Sequence, residues 1–450
     1  MSYAFLSYLQ ARQALAQRLY DTGTLFFTDA ELKVYVLEAL QTFNALARFY
    51  RQEFVFNTRQ NVTWYDLGDT VNLPNTLIPR TLTDLALLNT IEYHLLEPQT
   101  ATYPLTWTGS KQFVVTDILN AIQQVRDQLL SETNCTITQS LVNAAFTART
   151  TLNDKVMDIR RVAWIPATGF GYTPNLLMPS DIWAQQAFEV GFPQLVQASP
   201  ISYRRGTTPP LSFDVDRIPP VVGNYDLLTI NADGTLVTTQ SMILPLPNDW
   251  AWAVKWGALA QLLNRESAAT DPVRGQYAAE RYTQAVAVMQ TIPALLAARI
   301  NDVPVVVEAI SSGDFYAANW QGLAVDTPSS IYYAGLNMIA LAPAPSAGPF
   351  SLTVNVVRNM VLPSLDTDQL QVGRDDVATI LDYAQHIAMF KVGGAEFIAT
   401  FPLYRNFIRH CAVYNSKLSA RSPYREFIEG RGKEDERLHP VLDPGTVNRG

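Results

Sequence analysis

FTDAELKVYVLEALQTFNALARFY, Phe27 to Tyr50, is the stretch from which the rest of the chain is read. Thr28-Asp29-Ala30-Glu31 is a capping box: the Thr hydroxyl and the Glu carboxylate each satisfy a backbone amide that the first helical turn leaves free. Leu32, Tyr35, Val36, Ala39, Leu40, Phe43, Leu46, Ala47 and Tyr50 follow at helical spacing and form one apolar stripe. Such a helix needs others to cover it. Amphipathic stretches run from Tyr8 to Leu19, Thr81 to Leu96, Thr116 to Leu130 and roughly Thr138 to Arg161. Asn248-Asp249 caps a further helix with Trp252, Trp256, Leu259 and Leu263 on one stripe, and Asp271-Pro272 opens the next, with Tyr277, Arg281 and Val288. DDVATILDYAQHIAMFKVGG, from Asp375, aligns Val377, Ile380, Leu381, Ala384, Ile387 and Ala388, and Gly393-Gly394 ends it with the left-handed cap that glycine permits. A last amphipathic stretch reaches Leu418.

Between these helices the texture is β. RQEFVFNTRQNVTWYDL, Arg51 to Leu67, has apolar, aromatic runs around a polar centre and predicts a projecting hairpin. From about residue 200 the prolines Pro209, Pro210, Pro219 and Pro220 exclude helix. LSFDV, YDLLTI and MILPLP read as strands of a layer over 201–247, with a turn at Asn231 to Gly234. SSIYYAGLNMIALAP and PFSLTVNVVRNMVLP are two more strand-like runs joined by PAPSAGP. No short tandem period is visible, which argues against a solenoid.

Composition narrows the function. Charged residues are 16% of the chain, against about a quarter in an average soluble protein. Together with 8 Trp, 20 Tyr and 20 Phe, this suits either a large core or burial in subunit contacts. Arg outnumbers Lys, which fits interfaces and equally fits GC-rich coding. The net charge is -8 and the basic residues are scattered, which argues against sequence-specific DNA binding. The chain start lacks a basic segment followed by a clean apolar core, and no apolar run is long enough to span a bilayer, so a soluble protein made in the cytoplasm is expected. Cys135 and Cys411 are expected to be free, buried thiols.

Chemistry-bearing motifs are missing. The four histidines, His94, His386, His410 and His439, have no partner at metal-ligand spacing, and adjacent His410 and Cys411 point about 100° apart on a helix. His386, beside an apolar stripe, reads as a hydrogen-bonded structural histidine. No G-x-S-x-G elbow or phosphate-binding glycine loop occurs, and Gly169-Phe170-Gly171 reads as a loop. Asp375-Asp376 sit in a first helical turn, where the helix dipole favours carboxylates. No enzyme activity and no cofactor are expected.

Three pieces carry a resemblance. The Phe27 stretch resembles the opening helix of head-to-tail adaptor (connector or neck) proteins of tailed bacteriophages. PNDWAWAVKWGALAQLLNRESAATDPVRGQYAAERYTQAV, from Pro247, resembles their later paired helices, and ILDYAQHIAMFKVGGAEF, from Ile380, looks like a stretch of larger phage virion proteins. The chain is much longer than simple adaptors, and its β-rich inserts have no place in them. The resemblance implies a homo-oligomeric ring, commonly of twelve copies, joining portal and tail proteins, with phage DNA passing through the lumen. An acidic wall would let that DNA slide without sticking.

The expected architecture is α+β: a helical bundle with a projecting β-hairpin plus β-sheet inserts. It divides as 1–200, mainly helical and adaptor-like with hairpin 51–67; 201–370, β-rich layers flanking a helical pair at 248–300; 371–420, C-terminal helices; and 421–450, an extended arm. The expected function is a structural virion protein. The alternatives are another tail or collar component, a surface or carbohydrate-binding module, or, third, a cell-wall hydrolase. The expected interface residues are Phe54, Phe56, Trp64 and Tyr65 on the hairpin and Arg431, Lys433 and Arg437 on the arm, which should be ordered only where a neighbouring subunit or partner ring holds it.

Overall fold

The computed structural model describes residues 5–420 except 69–77, 101–102, 106–111, 145, 168–173, 185–196, 207–210, 233, 266–269, 292–294, 317–319, 323–324 and 347–348. The arm at 421–450, with Arg431, Lys433 and Arg437, lies outside the described residues, as do Pro209, Pro210 and the Gly169 loop. The fold is α+β: a helical core carrying two curled seven-stranded sheets.

Helix α1 is Tyr8–Arg18 and α2 is Asp29–Ala47, with the Thr28/Glu31 capping box formed as read. The α2 stripe is buried from Leu32 to Ala47. Strands β1 (Arg51–Asn57) and β2 (Trp64–Asp66) follow, then α3 (Asp84–His94), capped by Thr83, and α4 (Val115–Thr133). A run of strands comes next: β3 (Thr138–Asn143), β4 (Arg149–Thr151), β5 (Val156–Pro166), β6 (Asn175–Pro179), β7 (Ser202–Arg205), β8 (Ser212–Val215) and β9 (Gly223–Asn231). A 3₁₀ turn at Asn248–Trp250 leads into α5 (Ala251–Leu263), buried almost all round, and α6 (Pro272–Thr291) follows. The chain returns to strands at β10 (Leu295–Ile300) and β11 (Val303–Ala309), crosses through α7 (Ile310–Tyr316), and continues with β12 (Ser330–Ala334), β13 (Met338–Ala342) and β14 (Ser351–Val357). Helices α8 (Arg374–Val392), α9 (Gly394–Ala399) and α10 (Phe401–Ala420) close it.

Four expectations are corrected. The hairpin at 51–67 does not exist: β1 pairs with β14 and β2 with β13, at opposite edges of one sheet. The sheet curls until its edges meet, so Phe56 and Tyr65 come ring to ring at 5.6 Å inside it. Sequence-local pairing was the wrong guess because both strands are aromatic on one face, and that face needed a core, not a two-stranded ribbon. The supposed helix over Thr138–Arg161 is β3, β4 and most of β5. Leu141, exposed on an outer strand face, completes a spacing that mimics a helical stripe. MILPLP makes only an isolated bridge, Ile243 to Thr83, while Leu244 and Leu246 fill the helical core. SSIYYAGLNMIALAP is two strands, β12 and β13, turned at Gly335.

The two sheets share one topology. Their strand orders are β1-β14-β10-β11-β12-β13-β2 and β3-β9-β5-β6-β7-β8-β4. Strand for strand in chain order, these are the same arrangement, each with a single parallel pair at the same place, β11 with β12 and β6 with β7. The helices repeat too. α1 and α3 are both 11 residues, α2 and α4 both 19, and α6 and α10 both 20. Leu32, Val36, Ala39 and Phe43 of α2 are buried in the same register as Ile118, Ile122, Val125 and Leu129 of α4. Both helices end on a non-glycine residue in the left-handed region, Arg48 and Asn134. α2 packs on α1, α8 and α10 as α4 packs on α3, α5 and α6. The chain is therefore two copies of one unit. An inserted half, 84–291, lies between the second and third strands of an outer half, 8–66 with 295–420.

The tip between β12 and β13 clamps the halves. Gly335 has φ +61, and a Cβ there would stand 2.4 Å from the Asn134 carbonyl oxygen. Beside it Asn337 accepts from the Ile137 amide at 2.8 Å and donates to the Ile137 carbonyl at 2.9 Å. Gly335→Ala should therefore lower unfolding free energy by at least about 2 kcal/mol in urea titration. An unchanged midpoint would show the contact to be slack.

Candidate functional site

The interface residues expected on the hairpin are spent inside the chain. Phe56 and Tyr65 are buried in the first sheet's core, where the Tyr65 hydroxyl accepts from the Arg59 amide at 2.8 Å, and half-buried Phe54 packs beside Phe56. Trp64 joins the sheets: its indole N–H donates to Asp226 of β9 at 2.9 Å, and its ring meets Trp320 edge-on at 5.9 Å. Asp226 also accepts from Gln139 at 2.7 Å and from Gln321. Arg161 of β5 pairs with Asp314 of α7 through two bonds, 2.8 and 3.0 Å. Ile137, Leu228, Ala334 and Met338 fill the apolar part of this seam.

The helical core holds the most unusual chemistry. Glu38 of α2 and Lys255 of α5 form a buried ion pair, and the Lys255 ammonium lies 3.1 Å from His94 Nε2 and over the Trp256 ring. Burial, opposed by Glu38, brings the Lys255 ammonium down to about 8. Burial, and then the neighbouring ammonium, holds His94 well below its ordinary range and neutral. Arg281 is fully buried and donates to the Tyr404 and Tyr383 hydroxyls at 2.8 Å each and to Gln284, with its guanidinium over Trp252. His386 sits between Thr400 at 2.7 Å and the Tyr277 hydroxyl at 2.9 Å and is pushed down to about 3 by burial and Arg281, which is the structural role its sequence position suggested. Both cysteines are buried and unpaired, and burial raises both thiols, so neither is poised as a nucleophile.

A cavity of about 40 Å³, room for a water or two, opens where the core meets the first sheet, lined among others by Asn44, Asp249, Arg358 and Asn359. Asp249 accepts from the Met360 amide at 3.0 Å and from Asn44, whose amide also donates to the Arg358 carbonyl at 2.9 Å. Burial raises its carboxyl to about 7. Among the described residues, no three His, Cys, Asp or Glu side chains are grouped to hold a metal, and no helix is long and apolar enough to cross a membrane.

Among the described residues, several large apolar side chains stand on the outside, and sequence reading missed them. The turn before α2 is rigid: the Asp21 carboxylate accepts the amides of Leu25, Phe26 and Phe27 at 2.8–2.9 Å, and Lys391 binds the Phe26 carbonyl at 3.0 Å. Yet it presents Tyr20 and Leu25 at 97% and 90% exposure. After β6, Trp183 is 77% exposed, and on the second sheet Met178 and Ile201, joined backbone to backbone, are exposed too. The only sequence signal was an excess apolar pair, Leu25-Phe26, before the cap. No protein-family model matches the chain, and no curated protein does so either.

Two measurements test the buried charges. Glu38→Gln strands Lys255 in an apolar core and should cost about 3–5 kcal/mol in denaturant titration. Replacing both residues, Glu38→Gln with Lys255→Met, should recover much of that loss; equal losses would mean the pair contributes by shape alone. Asp249 has a folded value raised from 3.8 to about 7, so its contribution is full below pH 4 and is lost as pH rises to 7. That gap corresponds to about 4 kcal/mol. The stability of wild type relative to Asp249→Asn should fall across this window and flatten above it. A difference independent of pH would contradict the assignment.

Proposed function

We propose that the protein is a structural, non-catalytic virion subunit of a tailed bacteriophage that forms a homo-oligomeric ring at the head-to-tail junction, joining portal to tail with DNA in its lumen. The observation that carries this reading is the fold's own composition: two equivalent helical units that bind each other inside one chain. Such a unit has a surface for a like unit. The adaptor-like pieces of sequence coincide with α2, α5 with α6, and α8, which are core helices of both halves. The exposed Tyr20, Leu25 and Trp183 give the surface apolar points of contact of the kind that anchor interfaces. The conspicuous titratable groups of the core, Glu38, Lys255, His94, Arg281 and His386, are engaged in packing one helix to another. The acidic balance, -8, suits a wall past which DNA slides.

A carbohydrate-binding module is the second reading, and exposed Trp183 is the feature that favours it. A tail or collar station differs from a neck ring only in neighbours. Mass photometry and negative-stain imaging of the protein, alone and in particles, distinguish these. The expected result is a closed ring of many copies, with Tyr20→Asp plus Leu25→Asp reducing assembly while leaving the monomer folded. Chains that remain monomeric in the particle, or Trp183 fluorescence that saturates with an oligosaccharide, would count against the ring.

A further inference from the structure

The two halves are one unit met head to tail, and the surfaces they use on each other occur twice. On α2, Tyr35 stacks toward His94 at 5.5 Å, Glu38 holds Lys255, Gln41 donates to the Asn248 carbonyl and Asn44 to Asp249. All four partners belong to the inserted half. The matching positions on α4 are Ala121, Gln124, Asp127 and Leu130. Ala121 and Leu130 are buried within their own half and Asp127 pairs with Arg126, but Gln124, the counterpart of buried Glu38, is exposed, as is Ser131, the counterpart of buried Ala45. The same holds for the other face. α3 contributes buried His94, while its counterpart on α1, Arg18, is half-exposed and paired with Asp382 of its own half, and the neighbour Gln17 is exposed.

This contact has no mirror image. A two-fold relation between the halves would give Gln124 of α4 a buried partner in the outer half, as Glu38 of α2 has in Lys255, and Gln124 is exposed. The sheets agree. The first sheet contributes β12, β13 and β2 to the seam, the last three strands of the common order, and the second contributes β3, β9 and β5, the first three. A contact that uses different surfaces on its two sides leaves one of each unsatisfied at the ends of the pair, and it propagates until a ring closes. The α4 face carries Thr116, Asn120, Gln124 and Gln128, one residue per turn, exposed and uncharged, and ends on charged Glu132, to which Gln128 donates at 2.8 Å. A neutral exposed stretch of three turns is the kind that interface cores retain.

We infer that one chain fills two successive stations of the ring, and that a second copy lays its α1 face, with Gln17 and Arg18, on the α4 face around Gln124 as α3 lies on α2. This deepens the ring reading and rests on it. A ring would then show twice as many lobes as it has chains.

The test uses the full chain with Gln17→Cys and Gln124→Cys, both at exposed positions, while Cys135 and Cys411 stay buried. Assembled protein is treated with a short bifunctional maleimide, and the linked peptides are sequenced by mass spectrometry. Native mass gives the number of chains, and averaged images give the number of lobes. The expected result is a ladder of covalent multiples joined 17 to 124 between copies, absent from either single variant, with two lobes per chain. Rings that form without that link, or with one lobe per chain, overturn this inference and leave the ring standing. A chain that is monomeric at every concentration and in the particle gives no ladder and overturns the ring as well.

Discussion

The Glu38 carboxylate and the Lys255 ammonium have no water to turn to, and they come from different halves of the molecule. Two greasy helical units could pack in many registers, since apolar contact is not directional. A buried charge accepts few arrangements, because losing its partner costs several kcal/mol. Arg281 imposes the same demand from the inserted half on Tyr383 and Tyr404 of the outer half, and His386 of the outer half on Tyr277 of the inserted half. Three polar contacts spaced through one apolar core thus fix how the halves meet. The seam between the sheets, from Trp64 to Asp226 and Arg161 to Asp314, joins the halves in that same register.

The sequence was a good guide to helices and a poor one to what strands do. Thr28 announces a helix start because capping is local chemistry, confined to a few residues, whereas Asn248-Asp249, read as a cap, is not one: α5 begins at Ala251 without a side-chain cap, and Asp249 accepts from Asn44 and the Met360 amide instead. The residues named on the α2 and α8 stripes are buried, Tyr50 beyond the end of α2 only partly so, but both helices bury much more than their stripes, Glu38 and Tyr383 among them. β1 and β2 looked like each other's partners because pairing leaves no local mark: Arg51 meets Val357, far along the chain. β3 was hidden by Leu141, an exposed apolar residue that imitated helical spacing.

The duplication was invisible for a related reason. One copy interrupts the other, so no tandem period exists, and packing constrains size and register more than identity. Leu32 and Ile118, or Glu38 and Gln124, hold matching positions with unlike residues. The buried pair itself was not predicted, since Glu38 and Lys255 have nothing in common until the fold brings them together. The exposed Tyr20 and Leu25 were legible only in part: the apolar excess before Thr28 could be seen, but not the Asp21 carboxylate that holds it outward.

The nesting of one half within the other also orders events during synthesis. A chain emerges N-terminus first, and units fold as they become complete. The inserted half is contiguous and has every strand of its sheet by Asn231 and its last helix by Thr291. The outer half, although it starts first, cannot close its sheet until β14, so β1 with Phe54 and Phe56 must wait while the whole inserted half is made. The loop spanned meanwhile is long, but its entropy cost rises only logarithmically, and a folded insert shortens it further. The later-born copy becomes the template on which the earlier one is finished.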